Sequence, residues 1–502
     1  MLQLIENAKQ HQNRLAIRSG SRSYTYQELL TDSAYVSQAL LQGRPDLSEE
    51  RIAFLVDPSY DYVRLQWGIW RAGGIAVPLC TKHPYQSIEY VIDDTQASTI
   101  ICSEGYEELL SPLKDRDIRF ISLDKLSAGE VEALPDLSND RRAMILYTSG
   151  TTGSPKGVVS THANIQAQIQ SLVTSWEWHQ VDHILNILPL HHVHGIINIL
   201  SCALWSGACC EFLPKFDADK VFDIFLGGQV NLFMAVPTIY YKLIGQYDQY
   251  DEDRQQAITD ALHNFRLMVS GSAALPISVL ERWRSISGGH TLLERYGMTE
   301  MGMAISNPYH GERRPGHIGQ PLSGIQIRIA DEQDQVLPIG EKGEIQVKGP
   351  NVFKEYWQKP EATKKTFSAD GWLKTGDMAI LDDGYYRILG RNSVDIIKSG
   401  GYKISALEIE EVLRKYPNIK DCGVVGVPDD EWGEVVAASL ILSDPAEEID
   451  IKELRSWLKT KLPSYQVPKR YITQEDLPRN VMGKVTKKAL VKIFEEAEDK
   501  NQ

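Results

Sequence analysis

At 502 residues the chain is too long for one compact core, and its length predicts two to four domains. A content of 42% hydrophobic and 24% charged residues excludes intrinsic disorder, and a net charge of -14 excludes broad nucleic-acid binding. The six cysteines (Cys80, Cys102, Cys202, Cys209, Cys210 and Cys422) lack metal-ligand spacing, which predicts free, mostly buried thiols in a reducing compartment.

The opening stretch, "MLQLIENAKQHQNRLAI", carries acidic and polar residues where a signal peptide needs an apolar run, and it is not Arg- and Ser-rich. It predicts a cytoplasmic protein. Met144 to Leu146 read as a short buried strand leading into "LYTSGTTGSPKGVV". A glycine-rich turn after a strand leaves backbone N–H groups free to face an anion, and the hydroxyls add donors. Walker A spacing is absent, because Pro155 precedes Lys156 and Gly157 follows it. The segment is a phosphate loop of another kind or a flexible surface turn. His183 to Cys210 holds no Asp, Glu, Lys or Arg, but Asn186, Pro189, Asn198 and its histidines interrupt it. This predicts a buried helix with polar pocket residues in place of a membrane span.

"NLFMAVP" predicts a buried strand ending at Pro237, with a helix following; "RLMVSGSAALP" predicts a strand to Val269, a loop from Ser270 to Ala274 and a helix near Pro276. Such alternation predicts a largely parallel sheet with ligands at the strands' C-terminal ends. The loops at Thr148, Ser270 and Gly297 would then share one face. Beyond Gly324, "GEIQVKG" and "GYYRILGR" predict a small β-rich segment. After Arg391 a compact α+β stretch follows, with Ser405 and Glu408 as a capping box and Asp450 with Glu453 as a second helix start. A boundary between residues 391 and 396 divides the chain into 1–391 and 392–502, the latter of common domain size.

Four further polar islands stand out. "LLERYGMTE" places Tyr, Thr and Glu in a tight turn after an apolar run, and "KTGD" ends in a carboxylate able to take two ribose hydroxyls. "GRNSVDIIKSGGYKIS" holds Arg391 and a Gly-Gly turn, and "PRNVMGKVTKKAL" places Lys484 beside a glycine. In this order and at these separations, the islands and the opening loop resemble the adenylate-forming superfamily of acyl-CoA synthetases, luciferases and peptide-synthetase adenylation domains, over almost the whole chain.

The resemblance implies an α/β fold: a large N-terminal domain of subdomains with mixed and parallel sheets, a β-rich segment, and a small mobile α+β C-terminal domain. It implies that a carboxylate and MgATP give an acyl-adenylate and pyrophosphate, after which a thiol, here coenzyme A, captures the acyl group. By that resemblance Thr148, Ser149, Gly150, Thr151, Thr152, Gly153 and Lys156 hold the β- and γ-phosphates. Thr299 touches the α-phosphate, and Glu300 holds Mg²⁺. Ser272, Ala273, the Tyr296 ring and Gly297 line the adenine slot, while Asp377 and Arg391 grip the ribose. Lys484 bridges the acid and the α-phosphate in the first step. In the second, the C-terminal domain swings so that Ser399, Gly400, Gly401, Tyr402 and Lys403 face the thiol. The segment after Arg391 is one residue longer than the family pattern, so the hinge falls at Ser393 or Val394. These assignments suit the chemistry, since a carboxylate attacking an α-phosphate brings two anions together and needs cations and donors.

The acid pocket lies, by the same resemblance, near "PLHHVHG" and "ERYGMTE", with His194, Arg295 and Met298 facing it. Arginine presents a fork matched to a carboxylate, so a second carboxylate on the substrate explains a cation there. His191 and His192 are left open between packing and the adenylate or thiol channel. The wording of "LPLHHVHGIIN", "ERYGMTEMGMA", "RPGHIGQPLSG" and "NSVDIIKSGGYKISALE" is similar to the malonyl-CoA synthetase branch, which implies malonate, or methylmalonate, as the acid. The alternatives are a medium-chain or aryl acyl-CoA synthetase, an adenylation enzyme loading a separate carrier protein, and a non-catalytic nucleotide-binding regulator.

Overall fold

The structure is a computed structural model that describes residues 2–126, 133–148, 154–399, 402–429, 431–480 and 483–499. Alternating apolar strands and amphipathic helices build two large sheets in the N-terminal part. The nine-stranded sheet has a parallel interior, in the spatial order Leu293–Met298, Leu267–Ser270, Leu232–Ala235, His183–Asn186, Cys209–Phe212 and Leu15–Ser19, with antiparallel strands at both edges. The seven-stranded sheet is parallel through Arg142–Thr148, Ile75–Pro78, Arg51–Leu55, Thr99–Cys102 and Arg119–Ser122. Its other edge is antiparallel, through Lys156–Thr161 and Glu355–Tyr356.

The phosphate-loop segment therefore differs from the strand–loop–helix pattern. It closes a hairpin in which Thr148 pairs with Lys156 and Tyr147 with Gly157. Between Leu232–Ala235 and Pro237–Tyr247, and between Leu267–Ser270 and Ile277–Ile286, strand passes to helix as expected. The uncharged stretch His183–Cys210 is not one helix. It is a strand, a loop, a wide π-type helix His194–Ser201 running into Cys202–Trp205, and the start of a further strand. The Asn186 amide folds that loop back, accepting from Leu188 N (3.0 Å) and donating to the Gly195 carbonyl (3.3 Å). Among the described residues no helix is long and apolar enough to cross a membrane.

"ERYGM" is also extended: Leu293–Met298 is a strand, and the turn proper is Thr299 to Met301 before Gly302–Ser306. Gly297 is required by the reversal, because a Cβ there would lie 2.0 Å from the Gly302 carbonyl oxygen.

An antiparallel four-stranded sheet, Gln326–Ala330, Gly343–Lys348, Leu373–Asp382 and Tyr385–Arg391, forms the β-rich segment. A turn over Arg391–Asp395 then leads to a last sheet beginning at Ile396–Ser399. The long antiparallel pair Ile419–Asp429 and Gly433–Leu442 is its centre, covered by Ala406–Leu413, Ile451–Lys459 and Lys487–Asp499. Ser405 caps Ala406–Leu413, accepting from Glu408 N at 3.2 Å, but the reciprocal half of the capping box is missing. Glu408 instead turns its carboxylate to Arg387 at 2.9 Å, joining the C-terminal unit to the four-stranded sheet. Asp450 caps its helix through Lys452 N and Glu453 N. All six cysteines are free and buried.

Candidate active site

Three sheets meet at the polar islands. From the seven-stranded sheet, Thr148 and Lys156 face each other across the hairpin; Ser149, Gly150, Thr151, Thr152 and Gly153 lie outside the described residues. The Lys156 ammonium sits 4.9 Å from the centre of the Tyr356 ring, a cation–π contact. The Tyr356 hydroxyl donates to Glu300 Oε1 at 2.8 Å. Tyr356, which sequence reasoning missed, thus ties the phosphate hairpin to the Thr299–Met301 turn of the other large sheet. Burial raises the Glu300 pKa against the Tyr356 hydrogen bond and the Arg391 and Lys156 charges. A buried carboxylate oxygen with a cation and an anion-binding loop nearby fits Mg²⁺, a hard ion taken by one or two carboxylates plus phosphates. Among the described residues no cluster of three or more His, Cys, Asp or Glu side chains offers an all-protein metal cage. Thr299 lines a small cavity with Gln168, Val193, Ile197 and Asn351.

On the ribose side, Asp377 Oδ2 accepts from the Tyr296 hydroxyl at 2.6 Å and Oδ1 accepts from Arg391 Nε at 2.8 Å. Burial alone would lower the Arg391 pKa, but the Asp377 carboxylate raises it, keeping the guanidinium charged. Ala273 is exposed to the cleft and Ser272 half-buried. The Ser272 backbone has φ +70°, uncommon for a side chain other than glycine.

That conformation aims the Ser272 hydroxyl away from a plain adenine-lining role. It lies 3.3 Å from His194 Nδ1 and accepts from Arg295 Nη2 at 3.3 Å, bridging the two candidate acid-pocket residues. Arg295 is 3% exposed, and its Nε has no hydrogen-bond partner among the described residues. No described carboxylate pairs with it. Burial pushes its pKa down to about 9. His194 Nε2 is likewise buried and unpartnered, and burial followed by the Arg295 charge keeps its imidazole neutral. Gly271 supports the guanidinium from below: a Cβ there would lie 2.6 Å from Arg295 Cζ. Met298 is half-buried against the core on the same strand. His191 and His192 pack ring to ring at 4.1 Å. Burial holds His191 down to about 2 and His192, with Lys484 and His83 adding to it, down to about 4.

Lys484 reaches the cleft from the C-terminal unit. Its backbone N–H donates to Asn480 Oδ1 at 3.0 Å, and a Cβ on neighbouring Gly483 would lie 2.9 Å from Thr238 Oγ1 of the large domain. The side chain keeps solvent access while protein surrounds its ammonium. Desolvation lowers its pKa, the Arg391 and Arg295 cations lower it further, and Asp377 opposes them. The Ser399–Lys403 segment is not at this site. Lys403 pairs with Glu332 at 2.6 Å, Tyr402 stacks on Tyr465 at 4.2 Å, and Gly400 and Gly401 lie outside the described residues.

The AMP-binding enzyme family matches residues 4–357, and the AMP-binding enzyme C-terminal domain matches residues 408–484. The chain belongs to the AMP-binding enzyme family. It is 45% identical over 523 residues to the mitochondrial malonate–CoA ligase ACSF3 of Homo sapiens, covering 96% of this chain and 90% of that protein. Its fold matches ATP-bound MatB from Rhodopseudomonas palustris with a TM-score of 0.91 at 33% identity, over 99% of each chain. Against the apo form of the same protein the TM-score is 0.81 at 32% identity, again over 99% of each chain.

Glu294, beside Arg295 but on the opposite face of its strand, is a buried carboxyl accepting from Gly316 N at 3.0 Å. Burial raises its pKa from 4.5 to about 8. Between those values the folded protein holds a proton that the unfolded chain has released. Stability therefore falls as pH rises through that window, by at most about 1.4 kcal/mol per pH unit. Glu294→Gln keeps the acceptor and removes the titration. Its melting temperature should equal that of the unaltered protein at pH 5 and exceed it at pH 8; parallel curves would show that Glu294 is ionised in the fold.

Proposed function

We propose that the protein is an ATP-dependent, AMP-forming acid–CoA ligase whose acid is malonate, with methylmalonate fitting the same cation. The observation that carries the acid class is the Arg295 guanidinium, buried without a carboxylate partner and bridged by Ser272 to His194. Left unpaired, such a cation destabilises the fold; a dicarboxylate's distal group would neutralise it with charge-assisted hydrogen bonds. A medium-chain or aryl acid offers nothing to this cation. The malonate–CoA ligase relatives support the same reading.

In the first half-reaction the proximal carboxylate oxygen attacks the α-phosphorus of ATP, and the bond to the bridging oxygen breaks to release pyrophosphate. Lys484 would hold the attacking oxygen against the α-phosphate, with Thr299 as a further donor. Thr148 and Lys156 would take charge on the departing phosphates, and Asp377, fixed by Tyr296 and Arg391, would accept from the ribose hydroxyls. Mg²⁺ at Glu300 would supply the neutralising charge that lets two anions approach. In the second half-reaction the thiol sulfur of coenzyme A attacks the acyl carbonyl and AMP leaves. Here Lys484 occupies the site and Lys403 is held at Glu332, which corresponds to the first half-reaction. The higher TM-score to ATP-bound MatB than to its apo form supports that correspondence. The second half-reaction needs a rotation about the Arg391–Asp395 turn, at Ser393 or Val394, to bring the Ser399–Lys403 segment to the thiol.

Lys484→Ala should abolish most malonate-dependent ATP–pyrophosphate exchange yet spare thioester formation from supplied malonyl-adenylate; equal losses in both assays would overturn the lysine's assignment. Arg295→Ala should lower kcat/KM for malonate by about a hundredfold or more while changing that for butyrate far less, since a charged hydrogen bond contributes roughly 1.5–3 kcal/mol and an orphaned charge costs more. His194→Ala should act in the same direction more weakly, through one neutral donor. Equal losses on both acids together with a lower melting temperature would make Arg295 a scaffold residue.

A further inference from the structure

The residues that hold Lys484 are themselves charged, and they form a continuous path back to the inter-domain turn. Asp395 closes that turn, its Oδ2 accepting from the Arg391 backbone N–H at 3.0 Å. Its Oδ1 lies 3.8 Å from Lys487 Nζ. Lys487, nearly buried, donates to the Val424 carbonyl at 2.7 Å and pairs with the Glu410 carboxylate. Glu410 Oε1 also accepts from Val424 N at 2.8 Å, and Oε2 lies 3.4 Å from Arg414 Nη2. Arg414 Nε reaches Asp421 Oδ1 at 3.1 Å, and Asp421 Oδ2 accepts from Arg479 Nη2 at 2.7 Å. Arg479 Nη1 finally donates to the carbonyl oxygen of Gly483 at 3.0 Å, one residue before Lys484. Every link joins groups within the C-terminal unit except the first, which grips the backbone of the ribose-binding Arg391.

We propose that Arg479, anchored by Asp421 and the buried Arg414–Glu410–Lys487 charges behind it, is a positioning residue that fixes the Gly483–Lys484 loop relative to the Arg391–Asp395 turn. This rests on the assignment of Lys484 to adenylate formation. Three features carry it. The path ends on a carbonyl whose neighbour is the lysine, so a change in it alters where the ammonium sits and not whether the domain folds. The members nearest the turn are the buried ones, whereas Asp421 and Arg479 are about 30% exposed. A half-exposed ion pair contributes little to stability, so its remaining physical consequence is geometry. The loop also has few other restraints: Asn480 brackets it through Lys484 N, Lys484 O and Gly483 N, and Thr238 packs against Gly483. A displacement of about 1 Å at a bridging cation costs up to about a hundredfold in rate. Because the path starts at the turn, rotation there carries the lysine and its supports away as one body.

Arg479→Met keeps the aliphatic stem and removes the fork. It should reduce kcat of acid-dependent ATP–pyrophosphate exchange by about tenfold or more, with KM for ATP little changed and with thioester formation from supplied acyl-adenylate unchanged. Asp421→Asn should act in the same direction, and Arg479→Lys should restore part of the rate. The readout that separates positioning from general support is the double variant: on a Lys484→Ala background, Arg479→Met should cause no further loss of exchange. Unchanged exchange in Arg479→Met, or an additional loss on the Lys484→Ala background, would overturn the proposal. Should malonate fail to support exchange by the unaltered protein, the reading of the acid falls; the same comparison with whichever acid does support exchange still decides the role of Arg479.

Discussion

The arrangement of the site depends on one buried cation. The Arg295 guanidinium, 3% exposed and with no carboxylate partner among the described residues, is an expense in desolvation that the fold does not offset internally. The surrounding geometry is organised to keep it there. Gly271 leaves the space its Cζ occupies, Ser272 adopts a left-handed backbone to place a hydroxyl against it, and neutral His194 meets that hydroxyl from the wide helix. A neutral acyl chain would leave the cation unpaired, so specificity follows from the charge balance more than from pocket size.

The rest of the site joins three sheets through hydrogen bonds that are few and short in reach. Tyr356 links Lys156 on one sheet to Glu300 on another, and Asp377 links Tyr296 of the large sheet to Arg391 at the end of the four-stranded one. Arg391 is also the first residue of the inter-domain turn, so the nucleotide-facing side chain and the mobile connection share one backbone. Lys484 comes to this junction only because the C-terminal unit docks with Gly483 against Thr238 and Glu408 against Arg387. The same docking holds Lys403 at Glu332, away from the site. One arrangement of the two units thus offers the lysine and withholds the Gly-Gly segment, which is how a single cleft serves two successive reactions.

Much of this was legible in the sequence because motif residues carry their chemistry locally. The order of the polar islands, the strand-to-helix passages at Pro237 and Pro276, the β-rich segment and the free buried cysteines all follow from patterning and turn residues. What the sequence concealed depends on long-range contacts. Ser272 sits in a motif that resemblance assigns to adenine, yet its hydroxyl turns to His194 and Arg295, which no periodicity reveals. Tyr356 lies in "FKEYWQKP", a stretch with no motif signal, and gains its place only when an edge strand pairs with Lys156–Thr161. The phosphate loop looked like a strand-to-helix turn because glycine and hydroxyl residues mark either kind; the β-branched run Val158–Val159 after Lys156 was the signal for a hairpin. The half capping box at Ser405 fails for a similar reason, since Glu408 finds a stronger partner in Arg387 than the backbone N–H would be.

The central claim is that a second negative charge on the acid, and not its size, satisfies Arg295. Comparing malonate with its monoamide isolates that charge, because the two acids differ little in shape and both retain the reacting carboxylate. The account predicts that kcat/KM for thioester formation from ATP and coenzyme A is about a hundredfold or more higher for malonate than for the monoamide, at 1.4 kcal/mol per tenfold. Rates within about threefold of each other, a difference below 1 kcal/mol, would contradict it and leave the buried guanidinium as a structural element.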